Sequence, residues 1–190
     1  MKLLKHIKLK KMKKKIIHII CILTTSLMSS IELKAQFIKA ELQASGLTCS
    51  MCSLATQKQL KTLDFIDSIG TDLNHTTFLL YFKKDKTVDI DKIKKKVEDA
   101  GFSVAELKIV YHFENTKVEN NFHLEYQHNL YHFMNVSPQT LNGNITLRII
   151  DRGFISEKEY KKHLKETILP CYQTGKMPDV NRVYHVTIAP

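Results

Sequence analysis

The spacing of apolar and polar residues changes along the chain, and these changes predict an ordered series of strands and helices. Strict alternation, as in FIKAELQA, predicts a strand, whereas apolar residues three or four positions apart predict an amphipathic helix. Asp89 can cap the second helix, and Gly101 is placed to end it. The predicted strands cover residues 37–44, 65–73, 76–83 and 102–110, and the predicted helices cover residues 53–63 and 89–101.

The order strand, helix, strand, strand, helix, strand is that of a split βαβ, or ferredoxin-like, sandwich. In this α+β fold, four antiparallel strands carry two helices on one face. The apolar side chains of the two helices are therefore predicted to form the core beneath them. These side chains are Leu60, Leu63, Ile93 and Val97.

The pattern of apolar and polar residues differs in the remaining chain and predicts a second small α+β unit over residues 122–190. Residues 111–121 are polar and are interpreted as a linker. Ser156 and Glu159 have the spacing of a capping box, which predicts a helix to about Leu169, with Pro170 as its stop. A strand or hairpin is predicted at residues 122–136, and further strands at 145–151 and 182–188.

The charge of the chain is concentrated at its start. Eight lysines in residues 1–15 precede an apolar stretch and Ala35, a pattern typical of a secretory signal peptide over residues 1–35. Cleavage there would leave 20 basic and 18 acidic residues, about +2 in place of +10, which argues against nucleic acid as a partner. We therefore expect an exported protein, periplasmic or secreted, with no stable membrane span after cleavage. An uncleaved N-terminal anchor is the alternative.

The stretch GLTCSMCS carries the clearest chemistry, because Cys49 and Cys52 are two residues apart at the predicted start of a helix. Unpaired backbone N–H groups at a helix start stabilise thiolates. Thiolates are soft ligands that select Cu(I) over hard cations, and two of them suit its low coordination number better than that of structural zinc. Other soft or thiophilic metals stay possible. Met51, between the cysteines, could add a third soft ligand.

Residues 37–110 resemble a heavy-metal-associated domain, the fold of copper chaperones and of the N-terminal modules of copper-transporting ATPases. Its signature is Gly-Met-Thr-Cys-x-x-Cys. Gly46, Thr48, Cys49 and Cys52 match it, and Leu47 replaces the methionine. The Ala-Gly-Phe run of residues 100–102 also matches the family's ending of the second helix. The resemblance implies carriage, buffering or delivery of Cu(I) through the two cysteines, with a metal-transport or efflux protein as partner.

Two other interpretations of the cysteine pair stay open. It could form a purely structural bridge in an interaction module, since export implies an oxidising compartment. It could also exchange disulfides with a substrate, although the chain has no tryptophan of the kind that usually precedes such a site. No catalytic triad or phosphate-binding loop stands out, so we do not expect an enzyme.

Histidines and one further cysteine are the chemistry-bearing residues of the second predicted unit. On a single strand, His128, His132 and Met134 would share one face and could form a second metal site. A turn at residues 127–129 would destroy that alignment, so edge or core histidines are the favoured interpretation. We expect Cys171 to be buried, the commonest state of a lone cysteine; cross-linking or metal binding are the alternatives.

Overall fold

A computed structural model of the chain describes residues 37–72, 74–84, 86–126, 129–180 and 182–189. The predicted signal peptide, and with it Cys21, lies outside the described residues. The strands are β1 (Phe37–Ser45), β2 (Ile66–Asp72), β3 (Thr77–Phe82), β4 (Ser103–Val118), β5 (His123–Tyr126), β6 (Asn129–Phe133), β7 (Gln139–Ile149) and β8 (Val183–Ile188). The helices are α1 (Ser50–Leu60), α2 (Ile90–Asp99), α3 (Glu157–His163) and α4 (Cys171–Thr174).

The first six elements have the predicted βαββαβ order. Their strands lie in the order β2-β3-β1-β4, all neighbours antiparallel, and α1 and α2 contact each other. The four side chains that the helical pattern assigned to the core are all at most 6% exposed. The α+β class and this part of the architecture therefore agree with the prediction.

Helix α2 shows how local sequence sets an element's ends. The Asp89 side chain accepts a hydrogen bond from the Lys92 backbone N–H at 3.0 Å, which satisfies one of the free donors of the first turn. Gly101 adopts φ +88°, a left-handed conformation that glycine tolerates and that ends the helix. Ile90, Ile93 and Val97 are fully buried on the face between these caps.

The expected linker at residues 111–121 is a strand over most of its length. Strand β4 continues to Val118: buried Tyr111 and Phe113 extend its alternation with polar residues, and Val118 is buried at its end. The polar residues there occupy exposed positions of a strand, which explains why they resemble a linker in the sequence. β4 then pairs with β7 from Lys108 onwards, apart from one irregularity.

All eight strands consequently form one sheet, in the order β2-β3-β1-β4-β7-β8-β6-β5. Residues 122–190 do not form a sheet of their own. The sheet curls, since the Tyr111 ring of β4 lies 5.6 Å from the Tyr126 ring of β5 and 5.5 Å from the Tyr131 ring of β6. One large buried cluster includes side chains from both parts of the chain.

The segment 122–136 is a hairpin, the second of the two predicted forms. β5 and β6 pair antiparallel, with His123 directly opposite His132. Helix α3 begins as the capping box predicts, with the Glu159 backbone N–H donating to Ser156 Oγ at 3.2 Å. It ends at His163, six residues before the predicted end, and α4 follows after Pro170.

An ion pair joins helix α2 to the residue before β8. Arg182 donates to both carboxylate oxygens of Asp91, at 2.7 and 3.1 Å, and its guanidinium lies 4.1 Å from the centre of the Tyr184 ring. Burial raises the pKa of Asp91, but the hydrogen bonds and charge of Arg182 outweigh it and lower that pKa overall. The pair is bidentate and partly buried, which makes it stronger than an exposed pair.

Among the described helices, none is both long and apolar enough to cross a membrane.

Candidate metal site

The turn between β1 and α1 carries Cys49 and Cys52. Gly46 leaves the strand with φ +86°, a left-handed conformation that glycine adopts without strain, and a Cβ placed on it would lie at an ordinary contact distance of 3.5 Å from the Phe102 ring. Leu47 packs on the main core. It thus anchors the turn as an apolar residue, in the position where the family signature has methionine.

Helix α1 begins three residues earlier than predicted, with Cys49 as its N-cap residue. The Cys49 side chain makes no capping hydrogen bond. Cys49 is exposed and Cys52 is half-buried, and neither is in a disulfide. Ser53, Thr56 and Leu60 are the buried residues of this helix.

The two sulfurs lie 2.9 Å apart. A disulfide would bring them to about 2.05 Å, and bonds of about 2.3 Å to a shared metal would need a separation of about 3.8 Å at a tetrahedral angle and 4.6 Å in a line. The pair is therefore close enough to bridge and must open by about 1–2 Å to hold an ion. Exposure of Cys49 leaves room for that rotation.

The electrostatics of the turn favour a thiolate at Cys49. Its pKa is lowered by a hydrogen bond from the Cys52 thiol and by the backbone N–H groups of Cys52 and Met51. A thiolate is the form that binds metal and that attacks disulfides. Met51 itself is 70% exposed, so its thioether faces solvent in this structure.

A second group of ligand-type side chains lies in the C-terminal half, and it differs from the alternative site of His128, His132 and Met134. His128 lies outside the described residues. Met134 follows β6 and packs in a separate apolar cluster with Ile150 and Tyr172. The single strand that this alternative required does not form, because β5 and β6 pair antiparallel as a hairpin, in agreement with the favoured interpretation.

The hairpin instead brings His132 to His123, and α4 brings Cys171 to both. The Cys171 sulfur lies 3.7 Å from His123 Nε2 and 3.6 Å from His132 Nδ1. The two imidazole rings stack, with centres 4.4 Å apart. Cys171 is 3% exposed, which confirms the expected burial. Sequence reasoning missed the group because His132 and His123 are 39 and 48 residues from Cys171. The signal that could have found it is the cross-strand pairing of His123 with His132 in a hairpin.

The environment of His123 and His132 favours their neutral form. Burial, with the nearby His185 and His123 rings, lowers the pKa of His132 to about 3, and burial also lowers the pKa of His123. Burial raises the pKa of the Cys171 thiol. His185 is fully buried, and its Nδ1 lies 2.6 Å from an Asp151 carboxylate oxygen.

Comparison with known proteins identifies one segment, which is about a third of the chain. Residues 41–103 match the family model of the heavy-metal-associated domain. Since the match covers β1 to the start of β4 and includes both cysteines of the turn, this segment is a heavy-metal-associated domain, as residues 46–52 led us to expect.

Individual relatives match the same part of the chain. A probable copper-transporting ATPase of Arabidopsis thaliana, HMA5, is 31% identical over 78 residues, which are 40% of this chain and 8% of that protein. The chain thus spans less than a tenth of this curated relative. Among solved structures, the yeast copper transporter domain Ccc2a is 30% identical, with 34% of this chain and 86% of that domain covered (TM-score 0.30). CopP from Helicobacter pylori is 25% identical, with 36% of this chain and 100% of CopP covered (TM-score 0.32).

Proposed function

We propose that the protein is an exported soft-metal-binding protein that carries, buffers or delivers Cu(I) through Cys49 and Cys52. The observation that carries the proposal is the pair of unbridged sulfurs at the start of α1, one of them exposed and with a lowered pKa. Two thiolates form a soft, low-coordinate donor set, which monovalent copper prefers. The copper-related relatives support the same metal, and the basic, apolar N-terminal segment supports export.

Exposure of Cys49 suits delivery by ligand exchange. A thiolate or thioether of a partner attacks the bound ion and forms a three-coordinate bridge, after which Cys49 and Cys52 leave in turn. The half-buried Cys52 keeps the ion attached while the exposed Cys49 lets the partner approach. A partner of this kind is a metal-transport or efflux protein that carries a similar soft site.

The test is a competition titration with Cu(I) under reducing, oxygen-free conditions. The purified chain is compared with Cys49→Ser/Cys52→Ser, and Cys21→Ser and Cys171→Ser are present in both so that no other thiol of the sequence competes. We expect the pair to retain one equivalent of Cu(I) against a Cu(I) chelator and the double variant to lose it. Ser50→Ala, a change at the neighbouring exposed position, is the matched control. If the double variant retains its copper, the proposal is wrong.

A second function is favoured by the 2.9 Å separation of the sulfurs. In dithiol exchange, the Cys49 thiolate attacks a substrate disulfide and releases one substrate thiol; Cys52 then attacks the Cys49 sulfur of the mixed disulfide and releases the second. Two electrons and two protons pass to the substrate, which becomes two thiols, while Cys49 and Cys52 become a disulfide. Catalytic turnover on a disulfide substrate, with no retention of Cu(I), would establish this function instead. A structural bridge without either activity would respond to Cys49→Ser by a change in stability alone.

A further inference from the structure

The group formed by His123, His132 and Cys171 has the donor atoms of a metal site and no role in the cysteine pair of α1. Its ligand atoms all lie within 4.8 Å of one another. The three residues come from β5, β6 and α4, so the fold of the C-terminal half brings them together. We propose that this group is a second metal site, which binds one monovalent copper ion through two imidazole nitrogens and one thiolate.

The distances fit a bound ion without a large change of structure. Metal bonds of about 2.0–2.1 Å to nitrogen and about 2.3 Å to sulfur place nitrogen and sulfur about 3.6–3.8 Å apart at tetrahedral to trigonal angles. The two observed separations are 3.7 Å to His123 Nε2 and 3.6 Å to His132 Nδ1. An ion can therefore enter with small rotations of the side chains. Its binding displaces the Cys171 thiol proton to solvent.

The hydrogen bond on the far side of His132 leaves the correct nitrogen free. His132 Nε2 lies 3.2 Å from Asn121 Oδ1, and because that oxygen accepts, Nε2 carries the ring proton. Nδ1, which faces Cys171, then presents its lone pair. Metal-binding histidines usually donate their other N–H to a carbonyl or carboxylate in this way, and the arrangement fixes the ring and its tautomer.

The charge of the site favours a monovalent ion. Two neutral imidazoles and one thiolate balance one positive charge, so bound Cu(I) makes the group neutral. A divalent ion would leave one net positive charge at the site. Because His132 and Cys171 are only 0% and 3% exposed, that charge would be buried without compensation, which is costly. Two histidines and one cysteine in a trigonal arrangement are also a known copper donor set.

A third imidazole borders the group. The His185 ring centre lies 5.1 Å from that of His132, and Asp151 fixes its Nδ1. Its Nε2 is buried and has no hydrogen-bond partner among the described atoms. His185 is outside the three-donor group, and partly exposed His123 offers the ion a route from the surface.

The experiment isolates this site by removing the other thiols. The full chain with Cys21→Ser, Cys49→Ser and Cys52→Ser is titrated with Cu(I) against a chelator without oxygen, and separately with Zn(II). We expect one equivalent of Cu(I) to be retained. Asn121→Ala should weaken binding by about 10–100-fold, and His123→Ala and Cys171→Ser should weaken it more. His112→Ala, which removes an exposed histidine of β4, should leave binding unchanged.

His123→Ala keeps the test valid if Cys171→Ser misfolds, because His123 is partly exposed; circular dichroism checks the fold of each variant. No Cu(I) retained by the triple-serine chain would overturn the proposal, as would binding that His123→Ala does not change. Tighter binding of Zn(II) than of Cu(I) would overturn the assignment to a monovalent ion. Because the cysteines of α1 are absent, none of these outcomes depends on the first site.

Discussion

Replacing Leu147 by alanine tests whether the two halves of the chain unfold together. Leu147 is 1% exposed and lies in β7 directly opposite Ile109 of β4, at the seam between the heavy-metal-associated domain and the rest of the sheet. Both side chains belong to the one large core cluster. A cavity at this seam should therefore weaken the whole sheet and not only the C-terminal half.

The expected size follows from the burial of Leu147. The change removes three carbon atoms, worth about 2.4 kcal/mol at about 0.8 kcal/mol each, and the cavity left behind brings a buried Leu→Ala change into the range of about 2–5 kcal/mol. We expect a loss of about 3 kcal/mol. For a unit of this size that lowers Tm by about 6–12 °C. Ile168→Ala, at a side chain 96% exposed, is the control and should change stability by less than about 0.5 kcal/mol.

The assay follows each half by its own signal. Six of the seven tyrosines lie at position 111 or later, so tyrosine fluorescence reports the C-terminal half. The chain has no tryptophan, so Tyr81→Trp, at an exposed side chain of β3, provides a separate signal for the first half. Both transitions should coincide and should move together with Leu147→Ala, as expected for a two-state unit.

A different outcome would refute the reasoning. If the tryptophan transition stays in place while the tyrosine transition falls, residues 37–110 fold independently. The linker interpretation of residues 111–121 would then be correct in energetic terms, despite the continuous strand.

Two further predictions concern helix α2. Asp89→Ala removes the bond to the Lys92 N–H and should cost about 1 kcal/mol in denaturant unfolding, whereas Asp89→Asn, which keeps a capping oxygen, should cost less; equal losses would contradict the capping role. The Asp91–Arg182 pair should make stability depend on acid. The folded-state pKa of Asp91 is lowered, so its contribution is present above about pH 4, the unfolded value, and is lost as pH falls through the folded value. The stability difference between the protein and Arg182→Met should therefore shrink on acidification, and a constant difference would count against the pair.

Local patterns were sufficient for the first half of the fold. The helical spacing of Ile93 and Val97, the cap at Asp89 and the glycine at 101 each determine structure within a few residues, so the sequence shows them directly. The cysteine site was predictable for the same reason, because Cys49 and Cys52 are neighbours on one turn.

The second half depends on contacts between distant residues. The polar residues that follow Tyr111 are typical of a linker unless β7 is known to pair with them, and nothing local shows that pairing. The His123, His132 and Cys171 group likewise requires the β5–β6 hairpin and the position of α4 together. Helix α3 ends at His163, before the predicted stop at Pro170. Just beyond the helix, a Glu166 carboxylate oxygen lies 2.8 Å from His163 Nδ1.

The most direct test of the central claim is X-ray absorption at the copper edge, on Cys171→Ser loaded with one equivalent of Cu(I). The Cys171→Ser change leaves the cysteine pair of α1 as the thiol site among the described residues. The account predicts monovalent copper with two sulfur neighbours, and loss of those neighbours when Cys49→Ser and Cys52→Ser are added. Copper bound only by nitrogen or oxygen, or sulfur neighbours that persist without Cys49 and Cys52, would contradict it.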